Sequence, residues 1–236
     1  DMRSAPFDKK SARQAANYAI DKQTIIQKLM GGLGRQVPTT VQPLAFGFDP
    51  EVKAYPYDPK KAKELLAQAG YPNGVDITLH SSSIEWRPVF EAICQMLTEV
   101  GIRTTPKMWD PGPAWNKFFQ TEGKATNGYY GNWGNYSVFD ADAVLHPLYH
   151  TEPGGWVGKW YTKVEGLDPL IDEGRSTLDQ PKRKRTYSQI QQLIREEAPG
   201  GYLWTQYDTL AISKKVQYAA RGDEWLWVFD AKPVAR

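Results

Sequence analysis

The chain has 236 residues, 41% hydrophobic and 24% charged, which is ample apolar material for a core of one or two compact units. Its 29 basic and 27 acidic side chains leave a formal charge of +2, too little to form the basic footprint of a nucleic-acid binder, so nucleic acid is not an expected partner. No stretch reaches the roughly 18 apolar residues that span a bilayer, and the first residues lack the pattern of a secretion signal.

The opening Asp1 to Asp8 is neither a signal nor an initiator methionine, and helical patterning starts almost at once, so the chain is expected to belong to something longer. From Ser11, Ala12, Ala15, Ala16 and Ala19 share a helix face, and Asp21 is placed to cap a second helix, Lys22 to Met30, that Gly31 and Gly32 end. The stretch from Gly34 to Pro56 shows no useful periodicity and reads as an irregular crossing or lid segment. Asp58 and Pro59 then open a helix that buries Leu65 and Leu66 and stops at Gly70.

Val75, Ile77 and Leu79 alternate as in a strand with one buried face, up to His80. A helix from about Pro88 to Val100 follows, with Cys94 on its apolar side as a small core residue, and Gly101 terminates it. Ile102 to Met108 is a second strand and Ala114 to Gln120 a short helix, so the order argues for a layered α/β sheet domain. Beyond Gly123 the texture is aromatic and glycine-rich through Tyr129 to Tyr136. Helices from about Asp140 to Tyr149, Pro169 to Arg175 and Lys182 to Glu197 come next, then strand-like runs at Tyr202 to Tyr207 and Thr209 to Ile212. Lys182 to Arg185 reads as the solvated first turn of its helix.

Nucleophile-elbow, phosphate-loop, paired-cysteine and HExxH patterns are absent from the sequence, so no enzymatic activity and no cofactor are expected. His146 and His150 share a helix face at metal-ligand spacing, but Pro147 lies between them and no further ligand motif accompanies them, so no metal site is assigned. Asp140 and Asp142 can be read as paired catalytic carboxylates of a carbohydrate-active enzyme; helix capping accounts for them more simply. Trp133, flanked by glycine and asparagine in GNWGNY, is a candidate contact residue, because small neighbours let a ligand approach while the ring stacks on it.

Taken together, RQAANYAIDKQTIIQKLMGGLG (13–34), YDPKKAKELLAQAGYPNG (57–74), EAICQMLTEVGIRTTPKMWD and the helix ending in Glu-Ala-Pro resemble the peptide/nickel-type solute-binding protein family of ABC importers, extracellular solute-binding protein family 5. The resemblance implies the C-terminal lobe of a two-lobed periplasmic-binding-protein fold of type II character, a mixed sheet flanked by helices. Residues 1–10 would be the passage from an N-terminal lobe, 11–215 the solute-binding lobe, and 216–236 a tail returning towards the missing lobe. The implied function is capture of a peptide-like or other small polar solute for a membrane permease, in the periplasm or on a surface lipoprotein; a carbohydrate-active enzyme domain and a sensor or structural lobe are the alternatives.

By the same resemblance the ligand-contacting residues are Asn132, Trp133, Asn135, Tyr136, Phe139 and Asp140. Dipeptide-binding relatives carry an aspartate in that loop for the peptide amine, and this chain has Asn135, Tyr136 and Ser137 instead. That departure argues against recognition of a free α-amine there and leaves saccharides, opines, modified peptides and chelates open. An exposed strand edge near the termini is expected to promote a non-physiological dimer of the isolated chain.

Overall fold

Helix α1 (Lys10–Ala19) buries Ala12, Ala15 and Ala19, as its spacing requires, and also Asn17, whose amide donates to the carbonyls of Arg13 (3.1 Å) and Gly200 (2.9 Å). Helix α2 (Lys22–Leu29) starts where Asp21 accepts from the Thr24 N–H at 3.0 Å, and α3 (Pro59–Gln68) where Asp58 accepts from the Lys61 N–H at 2.8 Å. Both caps satisfy orphan donors of a first turn. The computed structural model describes residues 1–115, 127–134, 138–151, 157–161, 164–223 and 225–234.

Between these helices lies β1 (Gly34–Gln36), which pairs antiparallel with β5 (Trp204–Gln206). The crossing segment that follows is irregular, as expected, but it is core rather than lid: Val37, Val41, Ala45, Val52 and Tyr55 are buried. Next come β2 (Val75–Ser81), α4 (Arg87–Glu99), β3 (Ile102–Met108), α5 (Pro111–Trp115) and β4 (Gly128–Tyr130). The helix expected at Ala114 to Gln120 thus begins earlier, and its part beyond residue 115 lies outside the described residues. Strands β2, β3 and β4 form a parallel sheet in the order β3-β2-β4, with Val75 opposite Ile102 and Leu79 opposite Gly128.

The remaining elements are α6 (Asp142–Tyr149), α7 (Gly158–Tyr161), α8 (Leu167–Ser176), α9 (Gln180–Glu197), and the short antiparallel pair β6 (Val216–Gln217) and β7 (Lys232–Pro233). The run from Thr209 to Ile212 is not a strand; Leu210 and Ile212 are exposed and no neighbouring strand offers a ladder among the described residues. The first turn of α9 is also not simply solvated, because Arg183 turns inward to Asp140.

Two hydrophobic clusters result. One gathers α1 to α4 against the sheet around Ile25, Leu66, Ile93 and Ile102; the other packs the crossing segment, α6, α8 and α9 around Val41, Leu145, Ile171, Tyr187 and Ile190. Tyr18 of α1 touches both, and Lys22, only 2% exposed, sends its ammonium to the carbonyls of Asn17 (3.0 Å) and Tyr55 (3.2 Å). Tyr187 fits between Gly47 and Gly174, where any Cβ would come within 2.4 and 2.5 Å of its ring; Gly47 also has φ of +91°. Among the described residues no helix is long and apolar enough to cross a membrane.

Candidate solute-binding site

The chain leaves β2 for β3 on one side and then returns past β2 to β4 on the other. Winding therefore reverses at β2, and a parallel sheet of this kind offers a crevice outside the carboxyl ends of the strands where it reverses. The register brings His80 level with Lys107 of β3 and Tyr129 of β4, so the three side chains share one sheet face. Ser82 and Trp109, each two residues further on, extend the same row beyond the strand ends.

This row is tied together by hydrogen bonds. The Ser82 hydroxyl bonds the Tyr129 hydroxyl, the Trp109 indole N–H donates to His80 Nδ1 at 3.0 Å, and the Lys107 ammonium sits 4.6 Å from the Trp109 ring centroid. The opposite face belongs to the core, where Tyr130 stacks on Phe90 of α4 at 5.6 Å. Burial, with the nearby Glu85 carboxylate adding to it, pushes the Tyr130 phenol up to about 12, so it stays neutral as a donor and acceptor at physiological pH.

The chain leaves β4 through Gly131 and Asn132, both exposed, to Trp133, which packs partly on the second cluster. Asn135 and Tyr136 lie outside the described residues. Phe139 and Asp140 are half-buried and are strapped to the crossing segment: the Phe46 N–H donates to the Phe139 carbonyl at 2.8 Å and the Ala141 N–H to the Phe46 carbonyl at 2.9 Å. Asp140 is held on three sides. Arg183 binds it bidentately at 2.5 and 2.9 Å, the Tyr187 hydroxyl lies 3.2 Å away, and the Asp142 N–H donates to it at 3.0 Å at the head of α6. Arg183 also lies over the Phe46 and Tyr187 rings. The carboxylate thus spends its acceptor capacity on fixing the loop.

Asp142 is oriented by Arg175 at 3.3 Å, yet burial raises its pKa. His146 and His150 stack at 4.9 Å, with His150 Nε2 3.3 Å from Asp172, and no group of three His, Cys, Asp or Glu able to hold a metal ion occurs among the described residues. A groove of about 480 Å³ between α1, α9 and Lys53 lies away from the sheet ends; its Arg195 and Glu196 are engaged by Lys53 and Lys10.

The family of the chain follows from comparison. The model for the middle region of bacterial extracellular solute-binding proteins, family 5, matches residues 1–156. The chain belongs to this family. Heme-binding protein A of Haemophilus influenzae is 31% identical over 203 residues, covering 83% of this chain and 36% of that protein. Glutathione-binding protein GsiB of Pectobacterium atrosepticum is 32% identical over 224 residues, covering 89% of this chain and 42% of that protein. The periplasmic binding protein DppA of Helicobacter pylori, solved with the peptide STSA, superposes with a TM-score of 0.86 at 25% identity over 98% of this chain and 45% of its own. The fold is therefore the mixed α/β one of periplasmic binding proteins. The chain spans less than half the length of these relatives.

The resemblance in the first helices and in the helix opened by Asp58 accordingly identifies the family correctly. Tyr129 opens the aromatic, glycine-rich stretch that the sequence marks out, whereas Ser82 and Trp109 carry no signal of their own in the sequence, although both stand just past a strand end, the position where parallel sheets place ligands.

Proposed function

We propose that the chain is one lobe of an extracytoplasmic receptor of an ABC importer. It holds a peptide-like or other small polar solute at the carboxyl ends of β2 and β4 and delivers it, with a second lobe, to a membrane permease. The reading rests above all on the superposition with a relative solved in complex with a peptide, over nearly the whole of this chain. Its supports are the concentration of aromatic rings and hydroxyls at those strand ends and the anchored loop that follows β4. Residues 11–215 form the lobe in this reading, and 1–10 and 216–236 connect it to its partner. Trp225, Leu226, Trp227, Val228 and Phe229 are exposed, an apolar surface of the kind that another domain covers. In the isolated chain that surface would promote self-association.

Asn132, Trp133, Asn135, Tyr136 and Phe139 contact the solute in this account, and Asp140 holds their loop through Arg183. Closure of two lobes shifts with solute occupancy. The compartment is the periplasm, or the outer cell surface through a lipid anchor. Calorimetric titration of the full-length protein against dipeptides, tripeptides including glutathione, opines, oligosaccharides, nickel chelates and haem tests the reading. Saturable binding of one class by the full-length protein, and at best weak binding by the 236-residue chain, which lacks half of the enclosing surface, is the expected result. No binding of any class by the full-length protein would overturn it.

A further inference from the structure

Arg195 stands in the last turn of α9, on the wall of the groove that α9 forms with α1 and the crossing segment. Its guanidinium is held in place: Nε donates to the Lys53 carbonyl at 2.8 Å, and the plane lies over the Tyr55 ring, whose hydroxyl in turn donates to the Arg195 carbonyl at 2.5 Å. An arginine keeps its charge at every physiological pH, and a charge partly withdrawn from water is ordinarily paired. Here no carboxylate lies within ion-pairing distance of the half-buried Arg195 among the described residues. The two acids on the groove are turned to other cations: Glu196 bonds Lys10 at 2.9 Å, and Glu51 lies 4.0 Å from the Lys53 ammonium. The Tyr55 face and the C-terminal end of α9 offer partial negative charge and no full counter-ion. A second cation, the Lys22 ammonium, is close by, since after burial it is the Arg195 charge that lowers its pKa.

We propose that this groove is a second binding site, separate from the solute crevice, for a small oxyanion, a carboxylate or a phosphate, which the fork of Arg195 grips with Lys53, Gln14 and Gln192 around it. A planar fork fixed in advance matches two oxygens of such a group, and the volume of about 480 Å³ leaves room for a small organic body against Val52 and the side-chain stems. Glu51 and Glu196 on the rim repel a polyacid, so a ligand of low charge is favoured. A bound oxyanion links α1, α9 and the crossing segment and stabilises the fold by mass action. The proposal does not depend on the solute-receptor reading.

The test titrates the full-length protein with acetate, benzoate and inorganic phosphate, each against chloride at constant ionic strength. Saturable binding with a dissociation constant of about 1 mM or below is the expected result, and the anion that saturates at the lowest concentration tells a carboxylate source from a phosphate one. Arg195→Met is expected to weaken binding about tenfold or more, and Arg195→Lys several-fold, because an ammonium cannot present the fork. Arg195 also holds the Lys53 carbonyl, so a second variant guards against loss of fold: the Glu51 side chain is 84% exposed, and Glu51→Gln tightens binding about two- to threefold by removing a repulsion. Hydrogen exchange with the saturating anion adds protection at residues 51–55 and 192–197 and none at 81–83. Absence of saturation by all three anions up to about 20 mM, binding that Arg195→Met does not weaken and Glu51→Gln does not tighten, or protection confined to the sheet ends overturns the proposal. None of these results bears on the receptor reading, which the titration with solutes decides.

Discussion

Arg13 and Glu197 lie far apart in sequence, yet the Arg13 guanidinium donates to the Glu197 carbonyl through Nε at 3.0 Å and Nη2 at 2.8 Å, and to the Phe7 carbonyl through Nη1 at 2.9 Å. The last carbonyls of α9 have no partner within the helix, and a cation there also meets the negative end of the helix dipole. Arg13 is 7% exposed, and its loss leaves these partly buried carbonyls without their donor. Arg13→Met is expected to destabilise the fold by about 2–3 kcal/mol, read by urea denaturation, and Arg13→Lys to recover only part, since a single ammonium cannot reproduce the planar fork.

Lys22 makes a prediction about pH. Burial lowers its pKa to about 8, with the Arg195 charge adding to the effect and Asp21 opposing it. Between that value and the ordinary lysine range the unfolded chain binds the extra proton, so stability rises with pH through this window. From pH 7 to 9 the gain is about 1.4 kcal/mol, and Lys22→Met abolishes it. Above pH 9 Cys94 and Tyr149, both pushed up to about 12 by burial, oppose further gain because they ionise more readily in the unfolded chain. Urea denaturation at intervals of pH, comparing the two proteins, checks the slope.

Cys94 is 4% exposed within α4, and its raised pKa leaves almost no thiolate at neutral pH. A thiol reagent such as an aromatic disulfide is expected to label it at the rate of unfolding in the native protein and immediately in denaturant. Rapid native labelling would contradict the packing of α4 on the sheet.

The Asp140 and Arg183 pair fixes the loop before α6, and both side chains are about one-fifth exposed, 22% and 21%. Arg183→Met leaves a half-buried carboxylate without its charge partner and is expected to cost about 2 kcal/mol, less than the loss of a fully buried pair. Asp140→Asn keeps an acceptor for the Asp142 N–H and costs less. Both variants should weaken solute binding by releasing the loop, and thermal unfolding beside calorimetric titration separates the two effects.

Legibility in the sequence tracks how local the causes are. Asp21, Asp58, Gly70 and Gly101 act within one turn of their own residues, so the helix limits around them were readable. The crossing segment was not, because its fold depends on α9 far along the chain: Gln191 donates to the Gly47 carbonyl at 2.6 Å and accepts from the Asp49 N–H at 3.3 Å. Arg183 looked like one of four solvated cations for the same reason, since its partner Asp140 precedes it by 43 positions. The loop after β4 was visible from its glycine and aromatic texture. Tyr129 belongs to that visible texture, but its neighbourhood with His80, Ser82 and Trp109 is not legible in the sequence, because only the parallel register of three strands brings the row together.

Hydrogen exchange of the full-length protein with and without its bound solute tests the placement of the site most directly. The account predicts added protection at residues 81–83, 109–110 and 129–134, with the groove beside Arg195 unchanged. Protection confined to that groove or to α8, with the carboxyl ends of β2, β3 and β4 unaffected, would contradict it.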